Sequence, residues 1–169
     1  VRLELGDTAG ARAALERALA IAPADAQSHG KLGLALLTDG VMLIVDNGYA
    51  AATGWCGRTC VTAYVGGIRF IKPIAIGHIV ELHAKLIHTG RTSMHISVDV
   101  RSRDPRGGDW TKTTHCVIVF VAVDDVGTPT AVPKWQPVSE EDLALQRYAL
   151  KLFDLSKQVE GEMKQFLNS

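Results

Sequence analysis

The chain has 169 residues, 47% of them apolar and 21% charged, a balance that suits one soluble globular domain with a short accessory piece. Eighteen basic residues offset eighteen acidic ones, so no net field draws the chain to nucleic acid or to an anionic membrane. No apolar run approaches the roughly 20 residues of a membrane span, the Ala-rich start lacks a secretory pattern, and three cysteines make no disulfide framework, which points to a reducing cytoplasm.

Residues 7–37 are expected to be helical. Ala, Leu, Glu and Arg dominate Gly10 to Ile21, with Ala11, Leu15, Ala18 and Leu19 at helical spacing. Pro23 breaks the run, Asp25 can cap a second stretch to Leu37, and Asp39-Gly40 ends it. The first stretch resembles the second helix of a tetratricopeptide repeat, and Ser28 to Leu36 the first helix of the next. Fewer than about three such repeats bury no solenoid core, so the fragment must lean on something else.

Val41 to Ala52 is apolar on nearly every face, which predicts a helix surrounded by protein, ended by Gly54 and Gly57. Cys56 and Cys60 have the spacing to face one another on a helical turn. Gly54-Trp55-Cys56-Gly57 nevertheless reads as a helix end, and with Cys116 the expectation is three buried thiols.

After this helix the period changes from 3.6 to 2. Residues 59–70 read as a strand ended by Pro73. In 79–87, Val80, Leu82, Ala84 and Leu86 alternate with Glu81, His83 and Lys85; in 95–101, Ile96, Val98 and Val100 alternate with Ser97, Asp99 and Arg101. Both are half-buried antiparallel strands. The unbroken apolar run of residues 116–123 predicts a central strand. Turns are expected at Ile76-Gly77-His78, Thr89-Gly90-Arg91, Pro105 to Gly108 and Asp124 to Gly127.

Ser139 and Asp142 then have capping-box spacing, and Leu145, Tyr148, Leu152, Leu155, Val159, Met163 and Phe166 form one helical stripe. A buried helix followed by four strands in meander order predicts an α+β fold, an antiparallel sheet wrapped around a central buried helix. The chain divides into a helical segment at 1–38, the sheet domain at 39–133 and a C-terminal amphipathic helix at 134–169.

Asp46 is the most informative residue for chemistry. A carboxylate inside an apolar helix is expected to be buried, and burying it unpaired costs several kcal/mol, so it has a structural partner or serves a reaction. Gly40 stands at the start of the same helix, where free N–H groups and the helix dipole can polarise a carbonyl. The turn Gly90-Arg91-Thr92-Ser93 offers a guanidinium and two hydroxyls, suited to phosphate or amide recognition, although it also reads as an ordinary hairpin turn. The six histidines show no metal-ligand spacing and are read as surface or hydrogen-bonded side chains; no metal and no cofactor are expected.

Taken together, Asp39 to Asn47, Val61-Thr62-Ala63, Ile68 to Ile74, Gly77, Val80-Glu81-Leu82, Gly90 to Met94, Phe120 to Asp124 and Gly127-x-Pro129 resemble, in one order, the hotdog-fold acyl-CoA thioesterases of the cytosolic acyl-CoA hydrolase family. The resemblance implies hydrolysis of fatty acyl-CoA to free acid and CoA, with Asp46 as general base or nucleophile. It also implies an oxyanion met by N–H groups at the helix start near Gly40, and CoA held by Gly90, Arg91, Thr92 and Ser93 in a site shared between two subunits. A homodimer, and three dimers in a hexamer, are likewise implied, with CoA entering only as part of the substrate. The chain departs from the family's opening. Asp25 to Leu32 matches its first loop with Gln27 in place of Asn, Gly33 to Thr38 intervene, Asp39 replaces a Gly, and Ala11 to Ile21 is helix-like where a strand is usual. Two other readings stand beside the enzyme: a hotdog module that binds CoA esters or pairs with itself without turnover, and an interaction protein that uses its helical N-terminus as a partner surface.

Overall fold

The computed structural model describes residues 43–75 and 77–167. The helices expected at residues 7–21 and 26–37, the tetratricopeptide-like fragment and Gly40 lie outside them. The chain divides into two units at Val45/Asp46, and nearly all of the description below concerns the second.

Helix α1 covers residues 43–56. It stops where expected: Gly57 takes φ 63, and its N–H donates to the Thr53 carbonyl at 2.8 Å, a left-handed cap that glycine adopts without a Cβ clash. Four strands follow, β1 (Cys60–Phe70), β2 (Ile79–Thr89), β3 (Ser93–Arg103) and β4 (Thr111–Ala122). They pair antiparallel in the order β1-β4-β3-β2, so β2, β3 and β4 form a meander and β1 crosses to the far side of β4. Residues 116–123 do supply an internal strand, as their continuous apolar run predicts.

The register sorts the side chains. Met94, Ile96, Val98 and Val100 on β3 and Cys116, Ile118, Phe120 and Ala122 on β4 share one face and are buried. A Cβ placed on Gly48 of α1 would lie 3.1 Å from Phe120 Cε2 and 3.4 Å from Ile118 Cδ1, so this face carries α1. Tyr49 meets Phe120 edge-on, ring centroids 6.1 Å apart. The opposite face carries α2 (Glu140–Leu167), whose Leu145, Ala149 and Leu152 pack on Ile87 and Val117. This second cover explains why β3 is buried on both sides, Ser97 and His95 included, rather than alternating as its sequence suggests. Strand β2, at the edge of the described sheet, is buried less than its alternation implies, with Val80 exposed.

One expectation is corrected. The central helix is not enclosed on all sides: Leu43 is 57% exposed, and Asp46, Tyr49 and Ala50 also lie open, while Ile44, Gly48 and Ala52 are buried. One sheet covers one stripe of a helix, and the apolar residues on the other side face away from it. The stripe of α2 is likewise only half covered. Its first half packs on the sheet, whereas Leu155, Val159, Met163 and Phe166 are exposed beyond it. The start of α2 forms as predicted: Ser139 Oγ accepts from the Asp142 N–H at 3.1 Å, and Asp142 Oδ2 accepts from the Val138 N–H at 3.1 Å. Lys85 of β2 ties this turn to the sheet, with Nζ 2.9 Å from Asp142 Oδ1.

Candidate functional site

Asp46 occupies the open side of α1, exposed, and among the described residues no hydrogen bond or ion pair reaches it. This corrects the expectation of a buried carboxylate: the side chain leaves the helix on the face that the sheet does not cover. It therefore retains its acceptor capacity for a ligand. The adjoining Asn47 is half-buried, and its Oδ1 is enclosed without a hydrogen-bond partner.

The turn Gly90-Arg91-Thr92-Ser93 joins β2 to β3 and is fixed by its backbone. Gly90 N–H donates to Ser93 O at 2.9 Å, Ala122 N–H to Thr92 O at 3.0 Å, and Val132 N–H to Arg91 O at 3.0 Å. A Cβ at Gly90 would stand 2.6 Å from Ser93 Oγ, so a larger residue there would oblige the Ser93 hydroxyl to rotate. With the carbonyls of Arg91 and Thr92 occupied by the segment at Val132 and by the end of β4, the exposed Arg91 side chain and the half-buried Thr92 and Ser93 project from a backbone held on both sides.

Asp46 and this turn belong to different ends of α1. Trp55, at the helix C-terminus, donates its Nε1–H to Pro133 O at 2.9 Å, next to the Val132 that binds Arg91. Asp46 lies nine residues earlier, about 13 Å along the helix axis at the standard rise. Among the described residues no contact joins the carboxylate to the turn.

The sheet face under α2 holds a second group of titratable side chains, which spacing along the sequence did not reveal. Asp99 and His115 are opposite one another in the β3–β4 register, with His115 Nδ1 2.5 Å from Asp99 Oδ1 and Lys112 Nζ 2.7 Å from the same oxygen. Burial pushes the Asp99 carboxyl up, but the hydrogen bonds from Lys112 and His115 outweigh it and hold the group below its ordinary range. A depression of about 420 Å³ beside it is lined by His83, Lys85, Ser97, Asp99 and Glu141. The Tyr148 ring lies 5.7 Å from that of His115, so the imidazole is oriented by a carboxylate and covered by α2. Among the described residues Asp99, His115 and Lys112 form a local ion-pair network on the sheet face that α2 covers. The expectation that every histidine is exposed or hydrogen-bonded fails at His78 and His88, whose Nδ1 atoms are buried without a partner. Among the described residues no three His, Cys, Asp or Glu side chains converge as metal ligands.

Residues 46–108 match the Thioesterase superfamily, and the match begins at Asp46. Protein VdlD of Helicobacter pylori is 33% identical over 103 residues, 61% of this chain; the chain spans 59% of that relative's length. An uncharacterized acyl-CoA thioester hydrolase of Buchnera aphidicola is 34% identical over 112 residues, covering 63% of this chain and 79% of the relative. Among solved structures, an apo-hexameric acyl-CoA thioesterase superposes with a TM-score of 0.68 at 31% identity, over 72% of this chain and 79% of the other. With the antiparallel sheet on its central helix, and the identity maintained over most of the Buchnera relative, the chain belongs to the hotdog-fold thioesterase superfamily, alongside the acyl-CoA thioester hydrolases.

Proposed function

We propose that the protein hydrolyses acyl-CoA thioesters to a free acid and CoA, with Asp46 as the catalytic carboxylate. The observation that carries this reading is the placement of Asp46: exposed and unpaired among the described residues, on the central helix of a domain from this superfamily. The relatives' names support the substrate class.

The chemistry suits one carboxylate. Asp46 takes a proton from water as hydroxide adds to the thioester carbon, or its own oxygen adds there and water later cleaves the mixed anhydride. The tetrahedral oxyanion is received by N–H groups at the start of the helix, the role assigned to Gly40. Collapse then expels the CoA thiolate, which needs no strong general acid because thiol pKa values lie near 8.5.

A second copy completes the site in this reading. Arg91, Thr92 and Ser93 hold the CoA phosphates and pantetheine of a substrate whose thioester reaches Asp46 of the other subunit, as the family resemblance implies. Two surfaces favour such pairing. The open side of α1 exposes Leu43 and Tyr49, and β1 has a partner on one edge only among the described residues, with Val61, Tyr64 and Val65 exposed. Three such dimers would make a hexamer, the subunit number of the hexameric relative. The free thiols of Cys56, Cys60 and Cys116 suit a reducing cytoplasm.

The direct test incubates the full chain with acyl-CoA esters of increasing chain length and follows free acid and CoA by mass spectrometry. Release of both in equal amounts supports the reading. Tight binding of CoA esters without release would make the domain a binding module instead.

A further inference from the structure

Helix α1 ends and β1 begins on two cysteines whose side chains converge. Gly57 turns the chain through its left-handed φ of 63, and after Arg58 and Thr59 the strand starts at Cys60. The result brings Cys56 Sγ to 3.5 Å from Cys60 Sγ, and both sulfurs lie 3.6 Å from one acceptor, the Arg58 carbonyl oxygen. We infer that Cys56 and Cys60 form a dithiol site for low-molecular-weight disulfides, which oxidise the pair to an intrachain disulfide that links the end of α1 to the first residue of β1.

The exposures of the two thiols set the order of events. Cys56 is half-buried and Cys60 buried, so the incoming disulfide meets Cys56 first. The Cys56 thiolate attacks one sulfur of the reagent, a protein–reagent mixed disulfide forms, and one small thiolate leaves. The Cys60 thiolate then attacks Cys56 Sγ, closes the Cys56–Cys60 bond and expels the second small thiolate. Two protein thiols lose two electrons, the reagent is reduced to two thiols, and the two protons released end on them. Closure from 3.5 Å to the disulfide length of about 2.05 Å calls for an approach of about 1.5 Å, within reach of side-chain rotation at the junction of helix and strand.

Burial, together with the hydrogen bond and charge of Cys56, pushes the Cys60 thiol up to about 12. The Cys56 contributions vanish once that sulfur is in a mixed disulfide, while burial persists, so closure from 3.5 Å accelerates with pH. Cys116 provides an internal control. It is 1% exposed, on the α1 face of β4, and among the described residues no other sulfur is bonded to it.

The test treats the reduced full chain with oxidised glutathione under native conditions, quenches with acid, and alkylates after denaturation for intact-mass and peptide analysis. The site predicts a single alkylated cysteine, Cys116, a proteolytic fragment joining Cys56 to Cys60, and restoration of all thiols by dithiothreitol. In Cys60→Ser the reaction should stop with one glutathione on Cys56. Wild-type protein that keeps glutathione on Cys56 with Cys60 still alkylated, that joins two chains through Cys56, or that retains all its thiols would overturn the inference. The wild-type map decides the matter even if the variant folds poorly.

Discussion

His88 and His95 face one another across the β2–β3 ladder, ring centroids 5.2 Å apart, and Phe153 of α2 closes over His95 at 5.6 Å. Burial, and then the charge of His88, pulls the His95 imidazole down to about 4; burial lowers His88 in the same direction. Both rings are thus neutral in the folded chain, while in the unfolded chain they charge near pH 6.5. The unfolded state binds more protons between these values, so the contribution is fully present above pH 6.5 and is lost as pH falls toward 4. For His95 the loss is about 3 kcal/mol. Urea denaturation at pH 7 and pH 4.5 should show this drop, and His95→Gln should flatten it; equal stability of the wild type at both pH values would contradict it. The sequence places His95 on the polar side of its strand, but the cover provided by α2 buries it, and strand periodicity says nothing of a helix that arrives fifty residues later. Asp46 is the opposite case. Its type and position were legible because it is the one carboxylate in an apolar helix, whereas its exposure follows from which side of that helix the sheet takes.

At the scale of elements, the strands and turns were readable from alternation and glycine placement, and each predicted strand appears with its ends displaced by at most five residues. Alternation cannot report how two strands register, least of all where a bulge intervenes, as between Val100 and Arg101 in the β3–β4 pairing. The Asp99–His115 pair depends on that register and was invisible for this reason. The seating of α1 rests on Gly48, pressed against the fully buried Phe120. A valine there must displace a packed ring, so Gly48→Val is expected to destabilise by roughly 1–3 kcal/mol. Gly48→Ala should cost much less, because helix propensity returns up to about 1 kcal/mol. Denaturant midpoints would check both, and a valine variant as stable as wild type would mean that α1 does not bear on the sheet at this point.

For the molecule as a whole, the order of helix, strands and turns carried the family, because those motifs mark backbone reversals that the fold requires. In the proposed site, Asp46 and the Gly90–Ser93 turn act on one substrate from two copies of the chain. If Arg91 holds CoA phosphates from a rigid turn, Arg91→Ala should weaken binding of a CoA ester by about tenfold or more and reduce its salt dependence. Calorimetry at two ionic strengths reads this, and unchanged affinity would return the turn to a purely structural role. A variant with its carboxylate removed should behave differently, keeping the substrate and losing the reaction.

Asp46→Asn tests the central claim most directly, since the amide keeps the shape of the side chain and can act neither as base nor as nucleophile. Hydrolysis of the best acyl-CoA substrate should fall about a hundredfold or more, with CoA-ester affinity and thermal stability near wild type. A variant that retains more than about a tenth of the wild-type rate would show that Asp46 is not the catalytic carboxylate.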